Sequence, residues 1–114
     1  MKRIDAILQP HRLDAVIEAL HAQPRFPGFT VLQARGQGHG RGPHGHYAYD
    51  EGDLSLHNRR VLILFCEDSE VTRFAQLIAR AAYTGNPGDG IVAVSEVAEI
   101  LRIREARPAK GSPA

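Results

Sequence analysis

The sequence has no second cysteine, no excess of charge of either sign and no long hydrophobic run. Its one cysteine, Cys66, cannot pair within the chain, and its position in an apolar run predicts a small buried hydrophobe in a reducing cytoplasm. Lys and Arg total 14 against 13 acidic residues, a balance that argues against nucleic acid held by bulk electrostatics. No apolar stretch has the length of a signal peptide or membrane span, so we expect a cytoplasmic protein without direct membrane insertion.

A recognisable pair of nucleophile and base is also missing. The serines lack a glycine elbow, Cys66 lies in a predicted core strand, and the carboxylates fall at helix starts or in loops. We therefore expect a protein that is not an enzyme.

The apolar residues, 43% of the chain, suffice for one folded unit. Alternating or continuous apolar runs predict strands over residues 2–9, 29–35, 54–65 and 91–97. Helical periodicity predicts helices over about residues 12–22 and 71–83, with Asp68 or Ser69 capping the second. A short extended piece is expected over residues 100–104.

This order of elements predicts an α+β protein of the ferredoxin-like class, βαββαβ, with two helices on one face of a four-stranded antiparallel sheet. The other face has no helix left to cover it, so we expect a second subunit to bury it. The folded domain should span residues 1–105, with a long loop over residues 37–53. Residues 106–114 carry two prolines and no apolar periodicity, which predicts a disordered tail.

Two glycine-rich segments are candidate phosphate-binding loops. Residues 36–42 alternate glycine with other residues, so backbone amides can approach a phosphate while Arg41 and His39 supply positive charge. Residues 84–90 read Thr-Gly-Asn-Pro-Gly-Asp-Gly, with more glycine than a connection between helix and strand requires. The alternatives are a flexible loop and a decorated turn, neither of which needs a ligand.

Arg102 and Arg104 are spaced by two, which puts both guanidinium groups on one face if this segment is extended. Two convergent arginines suit a phosphate or a carboxylate. The alternative is a pair of solvated surface charges.

The long loop is rich in histidine. His39, His44 and His46, followed by carboxylates, are a reasonable set for a divalent transition metal such as zinc, copper or nickel. Their spacing matches no established zinc pattern. The alternative is a polar, pH-sensitive loop that contacts a partner.

Taken together, these segments resemble the PII nitrogen-regulatory signal proteins over nearly the whole chain. The matching segments are residues 1–8, Pro10, 13–16, 18–20, 28–31, 36–39, 84–90 and 102–104. The resemblance implies a homotrimer with an adenine nucleotide, ADP, AMP or ATP, in each cleft between subunits. It also implies that loop 37–53 reports the ligand to a membrane transporter or an enzyme.

Carried over residue by residue, the resemblance and the glycine loop give a nucleotide-binding set. Its members are Ile7, Thr30, Gly36, Gly38, His39, Gly40, Arg41, Leu64, Gly88, Asp89, Gly90, Arg102 and Arg104. Glycine amides and arginines would take the phosphates, while Ile7 and Leu64 would flank the base.

Several positions depart from the family pattern. Gly40 replaces a magnesium-binding glutamine and Asn58 a lysine, so we expect no sensing of 2-oxoglutarate. Ile91 replaces a lysine after the glycine turn, which favours ADP or AMP over ATP. Neither Tyr47 nor Tyr49 has the surroundings of the family's modified tyrosine, so nucleotidylation is not expected.

Such departures are typical of PII-like branches tied to bicarbonate uptake or metal efflux, and the loop histidines favour the metal branch. A trimer of the divalent-cation tolerance type, with the three loop histidines as ligands, is the alternative.

Overall fold

A computed structural model describes residues 1–37 and 56–106 of the chain. The strands are β1 (Lys2–Leu8), β2 (Thr30–Gly36), β3 (His57–Cys66) and β4 (Gly90–Glu96), and the helices are α1 (Leu13–His21) and α2 (Val71–Ala82). Short 3₁₀ turns span Pro10–Arg12, Asp68–Glu70 and Ile103–Glu105. The order of strands and helices is the predicted one.

The four strands form one antiparallel sheet in the order β2-β3-β1-β4. The first strand is central because it pairs with both β3 and β4: Ile4 lies opposite Leu64 on one side and Val94 on the other. This topology, with two helices inserted between pairs of strands, confirms the predicted ferredoxin-like α+β fold.

Both helices pack on one face of the sheet because their apolar residues recur every three or four positions. Val16 and Leu20 of α1, and Phe74 and Ile78 of α2, are fully buried or nearly so. They meet the inward residues of the central strands, which are Ile4, Ala6, Leu8, Leu62, Leu64 and Cys66. Cys66 is buried among them, as its position in the apolar run predicts.

The other face of the sheet carries large apolar side chains that no described element covers. Leu32, Phe65 and Ile91 are 50%, 41% and 62% exposed there. The Arg3 guanidinium donates to both carboxylate oxygens of Asp5, at 2.7 and 2.8 Å, so these two charges neutralise each other. We call this surface, with Ile7 and Ile63 included, the open face.

The third strand is shorter than predicted. It begins at His57 because Leu56 lies outside the ladder, and Leu54 falls outside the described residues. The expectation that residues 54–65 form one strand was therefore wrong at its start.

The predicted cap of α2 was also wrong. Asp68 and Ser69 lie in a 3₁₀ turn before the helix, Glu70 is at the N-cap position, and no side chain caps the helix there. Asp68 instead accepts a hydrogen bond from the amino-terminal ammonium of Met1 at 2.6 Å.

Candidate functional site

The glycine-rich turn between α2 and β4 is held by one carboxylate. Asp89 accepts hydrogen bonds from the Thr84 hydroxyl, from the Thr84 amide at 3.1 Å and from the Gly85 amide at 3.2 Å. These contacts, with the Thr84 hydroxyl as the largest cause, hold the pKa of the Asp89 carboxyl below its ordinary value. The oxygens of Asp89 are thus engaged within the turn, so the residue shapes the site.

Two glycines of the turn have distinct reasons for being glycine. A Cβ on Gly90, whose φ is +115°, would stand 1.8 Å from the carbonyl oxygen of Ile7, so the sheet itself requires glycine there. Gly88 has a left-handed φ of +87°, which favours glycine, and a Cβ there would lie in ordinary van der Waals contact with side-chain nitrogens of Arg59 and Gln9 at 3.5 Å. Gly88 is thus glycine because of its backbone conformation, whereas Gly90 is glycine because a side chain would collide with β1.

Gln9 and Arg59 complete this end of the site, and neither was predicted from the sequence. The Gln9 side-chain amide donates to the Gly88 carbonyl at 2.7 Å, and Arg59 reaches the Gln9 side-chain oxygen at 3.5 Å. Arg59 also donates to the Asn58 carbonyl at 2.8 Å. Arg59 lies two residues before Val61 on β3, so the two side chains share one face of the sheet. Val61 pairs with Ile7 of the open face, and Arg59 therefore lies on the open face as well. We call Gln9, Arg59 and residues 84–90 the turn half-site.

Arg12 supports the turn from behind. Its guanidinium donates twice to the Ala81 carbonyl, at 3.1 and 2.6 Å, near the end of α2. Cations are favourable at a helix carboxyl end because its last carbonyls carry partial negative charge. Arg12 also contributes to the lowered pKa of Asp89, so it stabilises both ends of the turn.

A second cleft, of about 450 Å³, lies at the other end of the sheet. Its lining includes Thr30, Phe65, Ile100 and Arg102. Thr30 pairs with Ile63 and therefore faces the open side of the sheet. We call Thr30, Phe65 and the segment 100–104 the arginine half-site.

The two half-sites are far apart in one chain. Gly90 pairs with Leu8, whereas Glu96 pairs with Lys2, and the segment bearing Arg102 follows Glu96. Six residue steps along an antiparallel strand span about 20 Å. Ile7, Asp89 and Gly90 line a separate cleft of about 360 Å³ that contains none of the arginine half-site.

The predicted contact of Leu64 with the base stays a prediction: Leu64 is 1% exposed and packs toward the helices, yet it contributes to the lining of the second cleft beside Phe65, which faces the open side. One prediction about the arginines was wrong. The segment 100–104 is not extended throughout: Arg102 has an extended backbone, but Arg104 lies in a 3₁₀ turn. With three residues per turn, the two guanidinium groups do not share the face of a strand.

Several predicted residues lie outside the described part of the chain: Gly38, His39, Gly40, Arg41, His44 and His46. The proposed metal set is thus not described, and within residues 1–37 and 56–106 no three His, Cys, Asp or Glu side chains are grouped to hold an ion. Gly36 is described, at the end of β2 opposite His57. Across the same residues, no helix has the length and hydrophobicity to cross a membrane.

Comparison with known proteins gives a consistent match over most of the chain. A family model described as nitrogen regulatory protein P-II matches residues 1–107. The nitrogen regulatory protein P-II of Azospirillum brasilense is 39% identical over 104 residues, covering 91% of this chain and 92% of that protein. The protein of that name from Rhodospirillum rubrum is 38% identical and nitrogen regulatory protein P-II 1 of Escherichia coli K12 is 36% identical, with the same coverage.

Proposed function

The chain belongs to the nitrogen regulatory protein P-II family, and from that premise we propose that it binds an adenine nucleotide in a site shared between copies of itself. ADP or AMP is the preferred ligand, and the assembly is a homotrimer. The protein signals through loop 37–53 to a transporter or an enzyme, as a regulator without chemistry of its own.

The observation that carries this proposal is the separation of the two half-sites. One chain holds glycine amides and Arg59 at one end of the sheet and Arg102 at the other, about 20 Å away. A single phosphorylated ligand cannot contact both ends of one copy along that length. Two copies packed side by side can bring the turn half-site of one against the arginine half-site of the next.

The open face supports association of copies. Its apolar side chains are exposed in the single chain, and its arginine and aspartate already neutralise each other, so burying the face leaves no unpaired charge from that pair. Ile103, 92% exposed, and Leu101, 72% exposed, extend the apolar surface next to Arg102. Burial of such residues contributes about 25 cal/mol per Å² of apolar area.

Calorimetric titration with AMP, ADP and ATP tests the proposal. Arg102→Ala with Arg104→Ala should lower nucleotide affinity at least about tenfold, since charge-assisted bonds to phosphate are lost. The matched control is Arg80→Ala, which removes an exposed arginine bonded only to Gln76 among the described residues. Failure of the wild type to bind any of the three nucleotides would overturn the proposal, and parallel titrations with bicarbonate, zinc, copper and nickel would then identify the other ligand classes.

Mixed assemblies test whether the site is shared. Asp89→Asn damages the turn half-site, and the double arginine variant damages the other half. The two variants are refolded together in equal amounts. If every site joins two copies, the turn half-site is intact in half of the sites and, independently, the arginine half-site is intact in half of them. About one quarter of the sites then have both halves intact and bind nucleotide. A site built within one chain would regain none, since no chain of the mixture has both halves intact.

A further inference from the structure

The segment that connects α1 to β2 contains two residues in the left-handed region of the backbone. Gly28 has a φ of +84° and Arg25 a φ of +58°. Glycine adopts this conformation without a steric cost, whereas the Cβ of another residue crowds the carbonyl that follows it. Among the described residues, Arg25 is the only non-glycine residue with a positive φ. Its backbone is therefore strained, and the surrounding contacts must hold it in place.

A single carboxylate holds the Arg25 side chain. The Arg25 guanidinium donates to Glu70 Oε1 at 3.1 Å. The Glu70 side chain is 16% exposed, while that of Arg25 is 81% exposed. Because exposed ion pairs contribute little to stability, this pair does not outweigh the strain that a glycine at position 25 would avoid. The stability of the fold therefore does not explain why residue 25 is an arginine.

Arg73 anchors the carboxylate from the side of α2. Its guanidinium donates to Glu70 at 2.8 Å, to the Gln23 side-chain oxygen at 2.6 Å and to the Pro24 carbonyl at 3.3 Å. The hydrogen bond from Arg73 is also the largest cause of the lowered pKa of the Glu70 carboxyl. Glu70 is thus a charged acceptor in a fixed position.

The ion pair lies in the wall of the second cleft. Arg25 and Glu70 line this cleft, and Thr30 and Arg102 of the arginine half-site line it as well. Thr30 is the first residue of β2 that pairs with β3, so the ladder of the sheet does not hold the residues before it. The bonds of Arg73 hold the start of the connecting segment, and the ion pair holds the part that lines the cleft.

We propose that Arg25 and Glu70 are positioning residues for the nucleotide: their ion pair fixes the backbone before Thr30, which forms the wall against which the ligand binds. The inference rests on the proposed function and adds two residues that act through the cleft wall and not by contact with the ligand. Without the pair, the wall adopts several conformations. Binding then has to order it, which lowers the affinity.

The test measures ADP affinity by displacement of a fluorescent nucleotide. Arg25→Gly removes the guanidinium and relieves the strained φ, so its unfolding midpoint in urea should equal or exceed that of the wild type. Its dissociation constant for ADP should rise at least about fivefold. Arg25→Lys keeps a cation opposite Glu70 and should lie between Arg25→Gly and the wild type. The control Arg80→Ala, which removes an exposed arginine of α2 outside the cleft lining, should bind as the wild type does.

A double variant tests whether the two residues act as one unit. Glu70→Gln keeps an acceptor for Arg73 and loses the charge that binds Arg25. If the pair acts as a unit, Glu70→Gln added to Arg25→Gly changes the affinity by less than about twofold. Additive losses would mean that each residue contacts the ligand separately, and the inference would be overturned. A loss of affinity in Arg25→Gly that comes with a lower unfolding midpoint would overturn it too, because the pair would then only support the fold.

Two results separate the inference from its premise. If the wild type binds none of AMP, ADP and ATP, both the inference and the proposed function fail. If the wild type binds ADP and Arg25→Gly binds it equally well, the inference fails while the proposed function stands. Oligomeric state is measured on every variant. If the Glu70 variants do not fold, the affinities of wild type, Arg25→Lys and Arg25→Gly decide, and any order other than a decrease along that series overturns the inference.

Discussion

The turn half-site and the arginine half-site differ in how much of their structure one chain supplies. At the turn, Asp89, Gln9 and Arg12 hold the backbone with hydrogen bonds from three different elements. At the other end, Arg102 and Arg104 are exposed, and in the described part of the chain no hydrogen bond from either side chain ties it to the rest of the protein. The turn is thus preorganised for a ligand, whereas the described part of one chain gives the two arginine side chains no such support.

This difference has a consequence for ligand affinity. A preorganised cradle costs little entropy on binding, while each exposed arginine loses up to about 2 kcal/mol of rotamer freedom when it is fixed. Mutations at the turn should therefore change stability and binding together. Mutations at the arginines should change binding with unfolding free energies within about 0.5 kcal/mol of the wild type.

The largest effect is expected from Gly90→Ala. The added Cβ would stand 1.8 Å from the Ile7 carbonyl at a φ of +115°, so β4 cannot pair with β1 at this point. We expect a loss of more than about 3 kcal/mol in the free energy of unfolding, measured by urea denaturation.

The matched control for that variant is Gly36→Ala. Gly36 also ends a strand and has no atom within 4 Å of an added Cβ, so the change should cost less than about 1 kcal/mol. Equal losses of unfolding free energy at the two glycines would mean that the turn is no more constrained than the end of β2. The turn half-site could then not be called the more preorganised of the two half-sites.

The second effect concerns the association of copies. Leu32→Glu places a charge on the open face, where Leu32 is 50% exposed, and it should convert the proposed trimer into smaller species, as measured by sedimentation or light scattering. Val94→Glu is the control: Val94 is 48% exposed, but it pairs with Ile4 and so faces the helix side of β4. If both variants dissociate, or if neither does, the open face is not the surface through which the copies contact each other.

How far the sequence predicts the structure depends on whether a residue belongs to a periodic pattern. The strands, helices and topology follow from such patterns. The faces within β3 do not, because residues 61–65 are all apolar and give no alternation to assign. This is why the sequence did not separate Phe65, which faces the open side, from Leu64, which faces the helices, and why Arg59 was missed.

The arginine half-site was harder to predict for a different reason. A 3₁₀ turn differs from an extended segment by local hydrogen bonds, here the bond from the Glu105 amide to the Arg102 carbonyl at 3.0 Å. So short a turn leaves no periodic pattern of apolar residues in the sequence. Arg59 could have been found by counting from Ile7: its partner Val61 and the residue two before it share one face. Gln9 lies just after a strand, where pattern arguments give no direction for the side chain.

The smallest effect, and the one that sharpens the comparison most, is the pH dependence of the turn. The Thr84 hydroxyl and the Thr84 and Gly85 amides lower the pKa of Asp89 in the folded state. A lowered folded pKa means stability that is present above the unfolded value, about 3.9, and is lost as the pH falls through the folded pKa. Asp89→Asn keeps one acceptor and turns an NH₂ group toward these donors, so at pH 7 it should unfold at a temperature a few degrees lower than the wild type.

The deficit of Asp89→Asn should shrink as the pH is lowered below about 4, because the wild-type carboxyl is then protonated as well. Glu18→Gln, which removes the same charge from the exposed side of α1, should show no such convergence. A deficit that stays constant down to pH 2 would mean that the charge of Asp89 does not hold the turn. The turn half-site would then be no better preorganised than the arginines it is proposed to meet.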